Sequence, residues 1–179
     1  DPDGSIKACG DVYLYGKEIN DETYAICKSD MMIKGNNPEN IKVGSTLSTD
    51  EFAAQRFDFM LSNPPYGKSW NSELKHIKDG NDVIDPRFKV ELADYWGTIE
   101  TRDATPRSSD GQLLFLMEMV GKMKSTKDSA VGARIASVHN GSSLFTGDAG
   151  SGESNIRRHI IENDLLDTII QLPNNLFYN

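Results

Sequence analysis

Four consecutive residues, Asn63-Pro64-Pro65-Tyr66, have the types and order that methyl transfer to the amino group of a flat ring requires. The lone pair of such an exocyclic amine is delocalised into the ring, so the nitrogen is a poor nucleophile. Two hydrogen-bond acceptors aimed at its two protons draw it toward tetrahedral geometry and stabilise the positive charge that develops. The side-chain oxygen of Asn63 can be one acceptor and the backbone carbonyl of Pro64 the other.

The other residues of this turn suit the same chemistry. Pro64 and Pro65 each have a fixed φ and no N–H, so they make the turn stiff. Tyr66 offers a flat face for a base swung out of a duplex. The alternative interpretation is a proline-stiffened turn with an unrelated tyrosine. The strand predicted directly before the turn, and an acid at the end of an earlier strand, favour the chemical interpretation.

That acid is Glu18, which follows an apolar stretch at residues 12–15. A carboxylate in this position accepts both ribose hydroxyls in sheets that bind a nucleoside cofactor. Ser45 and Thr46 follow another predicted strand and could face the adenine of the same cofactor. We therefore expect these three residues, with Asn63, to line the cofactor site; a solvated Glu18 at a strand end is the alternative.

The elements that must position these residues alternate between strands and helices. Strands are predicted at 12–15, 41–43, 57–61, 134–138 and 167–172, and helices from Asp21 to about Gly35, at 113–124, and from a Ser154 cap to about Glu162. This alternation predicts an α/β fold with a parallel sheet covered on both faces. Because ligands bind at the carboxyl ends of such strands, we expect Glu18 and Asn63 at the same edge of the sheet.

Two stretches look irregular. Residues 67–109 are polar and weakly periodic, and a segment this long without secondary structure is usually a functional or mobile insertion. Residues 147–152 are rich in glycine but lack the Lys-Ser/Thr ending of a phosphate-binding loop and the spacing of a dinucleotide fingerprint. A flexible loop leading into a capped helix is the favoured interpretation there. His76, His139 and His159 show no ligand spacing, so no metal site is predicted.

Length, composition and charge limit the number of domains, the cellular compartment and the way in which the chain could contact DNA. At 179 residues the chain is long enough for one domain with a core. No apolar run is long enough to span a membrane. The two cysteines, Cys9 and Cys27, form neither a disulfide framework nor a metal site, and this cysteine usage favours a reducing cytoplasm. The net charge of −8 disfavours contact with DNA phosphates, so basic residues must be concentrated on one face or supplied by a partner.

The chain resembles the modification subunit of type I restriction-modification systems, a family of N6-adenine DNA methyltransferases. The stretches that carry this resemblance are 15–20, 23–28, 32–35, 57–67, 110–115, 144–154, 156–158, 172–173 and 176–179. They cover most of the chain except about 70–109. We therefore expect residues 1–179 to be part of a catalytic methyltransferase domain, with a variable insertion at about 70–109.

The resemblance implies a Rossmann-like sheet, S-adenosylmethionine as cofactor, and DNA as substrate. It implies a specificity subunit that reads the DNA and supplies much of the contact with it, and an ATP-dependent restriction subunit as a further possible partner. Carried over, Asn63, Pro64 and Tyr66 hold the target adenine, Phe177 closes on the base from the other side, and Glu18 is the ribose acid.

Two departures from the family pattern matter. Ser45 stands where the family usually has Asn, which puts its contact with the cofactor in doubt. The family's first strand and Gly-rich loop should precede Tyr15 and its last antiparallel strand should follow Asn179, so we expect an incomplete sheet and a longer parent protein. Two alternatives stay open: the same chemistry on a protein glutamine or an RNA base, and a non-catalytic assembly scaffold.

Overall fold

The computed structural model describes residues 11–129, 132–174 and 176. The chain divides into two units, Asp1–Gln55 and Arg56–Asn179. The described residues form four two-stranded sheets, two of them parallel and two antiparallel. The α/β class predicted from the sequence is confirmed at this level.

The first unit is a strand–helix–strand unit with parallel strands. Strand β1 (Gly16–Glu18) pairs with β2 (Ile41–Val43), and helix α1 (Asp21–Ile33) and a 3₁₀ turn (Pro38–Asn40) connect them. The side chain of Asn20 caps α1 by accepting the Thr23 N–H at 2.9 Å. Helix α1 begins where the sequence predicted, and Gly35, with a φ of +73°, follows its end.

The strand predicted at residues 12–15 is wrong. These residues are not in a strand and their side chains are exposed, and β1 begins at Gly16. The physical reason is the length of the partner, because β2 offers three residues and pairs them with Gly16–Glu18. An apolar run becomes a buried strand only where another strand lies beside it.

The second unit is built around another parallel pair. Strand β3 (Phe59–Ser62) pairs in register with β8 (Arg134–Ser137), so that Ser62 lies opposite Ser137. Its helices include α3 (Gln112–Val120), the short α4 (Ser142–Phe145) and α5 (Gly152–Glu162). Leu114 and Ile156 are among its fully buried side chains.

Helix α3 ends earlier than predicted. Beyond Gly121 the chain runs beside Phe57, whose N–H donates to the Lys122 carbonyl at 2.9 Å and whose carbonyl accepts the Lys124 N–H at 3.2 Å. Lys122 and Lys124, which were predicted to lie in the helix, thus pair instead with Phe57, just before β3. This pairing also explains why β3 itself begins at Phe59 and not at Phe57.

The segment expected to be irregular is folded. It contains α2 (Leu74–Ile77), a hairpin of β4 (Lys78–Asp79) and β5 (Asp82–Val83), a 3₁₀ turn (Pro86–Phe88), and a hairpin of β6 (Lys89–Ala93) and β7 (Ile99–Asp103). Trp70, Ile77, Phe88, Val90 and Leu92 are buried. Expecting a long loop was therefore wrong, because five large apolar side chains give the segment a core. Its variability among relatives stays a prediction.

Two predictions near the C-terminal end are also wrong. Ser151, not Ser154, caps α5, and its Oγ accepts the Ser154 N–H at 3.3 Å. The helix begins at Gly152, directly after this cap, and residue 152 has to be glycine because a Cβ there would lie 1.8 Å from the Thr105 carbonyl oxygen. Residues 167–172 form no strand, and their side chains are exposed with no paired strand in the described part of the chain.

Candidate functional site

The residues 63–66, here called the motif turn, directly follow β3. The Val138 N–H donates to the Ser62 carbonyl at 3.0 Å, so the ladder between β3 and β8 continues to the last residue before the turn. Asn63 is exposed, and its side chain makes no hydrogen bond to any residue in the described ranges. Its amide oxygen is therefore available to an amine.

Within the motif turn, the side chains divide between the interior and the surface. Pro64 is buried, whereas Pro65 and Tyr66 are exposed. The Pro64 carbonyl accepts no hydrogen bond from the described residues, and the Tyr66 ring stacks on none of their rings. The buried proline fixes the turn to the unit, while the Asn63 side chain and the Tyr66 ring stay exposed.

The turn is held at its far end by Asp110. Gly67 has a φ of +67°, and its N–H donates to Oδ1 of Asp110 at 3.1 Å. Beside it, the Gly111 N–H donates to the Lys68 carbonyl at 3.1 Å, so the two chain segments run together. The Asp110 side chain is buried, where a hydrogen bond to a charged acceptor is stronger than in water.

Gln112, at the start of α3, links Asp110 to the end of β8. Its Nε2 donates to Oδ2 of Asp110 at 2.8 Å and to Oγ of Ser142 at 3.1 Å. Its Oε1 accepts the Asn140 N–H at 3.0 Å and lies 3.2 Å from Nδ1 of His139. Because Gln112 is 2% exposed and both ends of its amide are engaged, the orientation of the amide is fixed.

That orientation determines the tautomer of His139. Since Oε1 of Gln112 can only accept, Nδ1 of His139 carries the proton and donates it. Nε2 is then an acceptor, and it is buried with no hydrogen-bond partner in the described part of the chain. Burial lowers the pKa of His139 below its ordinary value, while the negative charge of Asp110 acts in the opposite direction.

Sequence reasoning missed this network, and found for His139 only that it lacks metal-ligand spacing to the other histidines. One signal was available, because Asp110 and Gln112 flank Gly111 at the entrance to an apolar helix. Polar residues at the start of a buried helix need partners, and here those partners come from the motif turn and from the end of β8.

In the first unit, Glu18 is the last residue of β1. Its Oε1 accepts the Asn20 N–H at 2.8 Å, which orients the carboxylate, and its carbonyl accepts the Gly44 N–H at 2.8 Å. Glu18 lies opposite Val43 in the parallel register, so the residues after β2 begin at the same edge as Glu18.

Ser45 and Thr46 lie in the turn that follows this edge. The Ser45 carbonyl accepts the Ser48 and Thr49 N–H groups at 3.3 and 3.2 Å. The structure thus brings Ser45 and Thr46, which follow β2, to the edge where Glu18 ends the adjacent parallel strand β1. Their roles toward a cofactor, and the shared edge predicted for Glu18 and Asn63, stay predictions.

The other predicted residue, Phe177, lies outside the described residues. Within the described ranges, no group of three or more His, Cys, Asp or Glu side chains could hold a metal ion. In the same ranges, no helix has the length and apolar character needed to cross a membrane.

Comparison with known proteins identifies the family. The family model described as N-6 DNA Methylase matches residues 5–179. The type I restriction enzyme MpnII methylase subunit of Mycoplasma pneumoniae is 27% identical over 93% of this chain and 28% of that protein. The MjaVII methylase subunit of Methanocaldococcus jannaschii is 27% identical over 95% of this chain and 26% of its own length.

A third relative, the HindI methylase subunit of Haemophilus influenzae, is 24% identical over 94% of this chain and 32% of its own length. The chain spans about a quarter to a third of the length of these curated relatives. No solved structure matches the chain significantly. Because the family model covers nearly the whole sequence and includes the motif turn, the chain belongs to the N-6 DNA methylase family.

Proposed function

We propose that this chain carries the methyl-transfer site of an adenine-N6 DNA methyltransferase that uses S-adenosylmethionine. The observation that carries the proposal is the state of Asn63, whose exposed amide makes no hydrogen bond to the described residues and stands on a turn held at both ends. Membership of the N-6 DNA methylase family supports the same conclusion.

The chain's part in the reaction is to prepare the amine and to stabilise charge. Oδ1 of Asn63 and the Pro64 carbonyl accept the two N6 hydrogens and orient the nitrogen lone pair toward the methyl group. S-adenosylmethionine, when bound, supplies an electrophilic methyl group. The two acceptors would stabilise the positive charge that N6 gains on accepting the methyl group, until N6 releases one of its protons to solvent water.

The polar groups of the first unit suit the proposed cofactor. Within the described part of the chain, the Glu18 carboxylate accepts one hydrogen bond, from the Asn20 N–H to Oε1, so its other oxygen can accept from a ribose hydroxyl. Ser45 and Thr46 follow the adjacent strand and would lie beside the cofactor adenine.

Tyr66 would receive the target adenine. Its ring is exposed on the motif turn, and stacking on such a ring retains a base that has left the duplex. The resemblance to type I modification subunits adds Phe177 as a second aromatic on the opposite face of the base.

As a type I modification subunit, the protein would act with a specificity subunit that reads the DNA sequence. The net charge of −8 supports this division, because an acidic protein approaches phosphates poorly. An ATP-dependent restriction subunit is the further proposed partner, and the cytoplasm is the proposed location.

The experiment that tests the proposal is methylation by the full-length protein, assembled with its neighbouring subunits, of genomic DNA in the presence of isotope-labelled S-adenosylmethionine. Mass spectrometry of the nucleosides should show label in N6-methyladenine. Parallel reactions contain RNA and a glutamine-bearing protein. Label in either of these, with none in the adenine of DNA, would contradict the proposal and support the alternative substrates.

A further inference from the structure

The motif turn is restrained from both sides within the second unit. On one side, Ser62 lies opposite Ser137 in the ladder between β3 and β8. On the other side, the Gly67 N–H is held by Asp110. Between these two points, Pro64 and Pro65 remove two freely rotating φ angles. Few free torsion angles therefore separate the restraint at Gly67 from Asn63.

The group that supplies the restraint is itself held by a chain of buried hydrogen bonds. Oδ2 of Asp110 accepts from Gln112 at 2.8 Å, and Oε1 of Gln112 accepts from the Asn140 backbone at 3.0 Å. Asp110 and Gln112 are 9% and 2% exposed. Because both oxygens of Asp110 and both polar atoms of the Gln112 amide are engaged, this pair fixes one geometry and loses stability when either group points the wrong way.

We propose that Asp110 and Gln112 are positioning residues for methyl transfer, which hold the motif turn so that the Asn63 acceptor is directed before the base arrives. The inference rests on the proposed function, and neither residue touches the reacting atoms. Asp110 holds the turn directly, and Gln112 holds Asp110 while fastening it to the end of β8. Preorganised acceptors lower the barrier because they need no reorientation during the reaction.

The proposal can be tested by exchanging the carboxylate of Asp110 and the amide of Gln112, because the two groups differ in which atoms donate and which accept. Asp110→Asn keeps an oxygen for Gly67 but turns an NH₂ group toward the NH₂ group of Gln112. Gln112→Glu places two carboxylates against each other in a buried site. In the double substitution Asp110→Asn with Gln112→Glu, the new amide donates to the new carboxylate. That carboxylate still accepts from Asn140 and His139, and the charge of the pair is unchanged.

The matched control is Asn155→Ala. Asn155 is also a buried amide on a helix of the second unit, and its Nδ2 donates to the Asp103 carbonyl at 2.8 Å. This substitution should lower stability without touching the motif turn, and so it separates general destabilisation from loss of positioning.

Two quantities are measured in the full-length protein with its partner subunits: hydrogen exchange at the Gly67 amide, and single-turnover methylation with separate Kd values for DNA and S-adenosylmethionine. Each single substitution should speed Gly67 exchange and slow turnover by about tenfold or more, with both Kd values nearly unchanged. The double substitution should restore both, and Asn155→Ala should change neither.

Unchanged Gly67 exchange in the single variants would overturn the inference. So would fast exchange with normal turnover, or failure of the double substitution to restore turnover. If the unsubstituted protein methylates no adenine, it is the proposed function that fails, and the exchange pattern still decides whether the pair holds the turn.

Discussion

Gly67 and Asp110 are joined by one hydrogen bond of 3.1 Å between residues 43 positions apart in the sequence. Its donor is the backbone N–H that follows the motif turn, and its acceptor is a buried carboxylate at the entrance to α3. The bond ties the segment predicted to do the chemistry to a segment for which the sequence suggested no role. It also makes the conformation of Gly67 a testable part of the site.

The substitution Gly67→Ala should damage catalysis more than stability. Gly67 has a φ of +67°, where an L residue costs about 1–2 kcal/mol, although a Cβ there would meet no atom within 4 Å. Gly80 is a matched control, since its φ is +58° and its Cβ position is equally open, in the turn between β4 and β5.

Both alanine variants should lose about 1 kcal/mol of unfolding free energy in urea titrations, but only Gly67→Ala should slow single-turnover methylation, by about tenfold. Equal turnover in the two variants would show that the conformation of the motif turn does not limit the reaction.

The stability of the protein should fall on acidification because of His139. Burial lowers its pKa below the ordinary 6.5, so between these two values the unfolded chain binds more protons than the folded one. The free energy of unfolding therefore decreases as the pH falls below about 6.5 and levels off below the pKa of the folded state. His159, whose pKa burial also lowers, acts in the same direction.

Replacing His139 by Asn keeps a donor toward Oε1 of Gln112 and removes the titration. In urea titrations from pH 7.5 to pH 5, His139→Asn should therefore lose less stability than the unsubstituted protein. Asn155→Ala should lower stability by a similar amount at every pH. If the free energy of unfolding depended on pH equally in His139→Asn and in the unsubstituted protein, proton uptake by His139 would not accompany unfolding.

Tyr66 should act through its ring and not through its hydroxyl. Tyr66→Ala should weaken the flipped state of the target base by about 1–3 kcal/mol, the usual range for base–aromatic stacking, whereas Tyr66→Phe should change it little. The measurement is fluorescence of 2-aminopurine placed at the target base, which rises when the base leaves the stack. Tyr95→Ala, at an exposed tyrosine in the turn between β6 and β7, is the control and should have no effect.

A Tyr66→Phe variant as impaired as Tyr66→Ala would show that the hydroxyl has a chemical role. An effect of Tyr95→Ala of the same size would instead indicate that exposed tyrosines contribute to DNA binding in general.

Sequence patterns predicted the features of this molecule that are encoded locally. Helix α1 begins at Asp21 because Asn20 caps it, and the motif turn follows β3 because two prolines end the strand. The strands predicted at 12–15 and 167–172 were wrong, because a strand depends on a neighbour that a local pattern does not contain.

The same distinction holds for the site. Asn63 and Tyr66 could be singled out from their spacing, and the structure shows both exposed on the turn, while their roles in the reaction stay predictions. The position of Asp110 and Gln112 at the start of an apolar helix indicated that they need partners, but it did not identify residues 67 and 140, which only folding brings near. The roles of Glu18, Ser45, Thr46 and Phe177 stay predictions, since contact with a cofactor or a base has to be measured.

The most direct test of the whole account is single-turnover methylation by the Asn63→Ala variant of the full-length protein. Because Asn63 is expected to act mainly as charge develops on the amine, the rate should fall by about 10²-fold or more, while the Kd values for DNA and S-adenosylmethionine stay nearly unchanged. Asn71→Ala, at another exposed asparagine of the second unit, should keep its normal rate. Near-normal turnover in Asn63→Ala would contradict the central claim that this turn carries the chemistry.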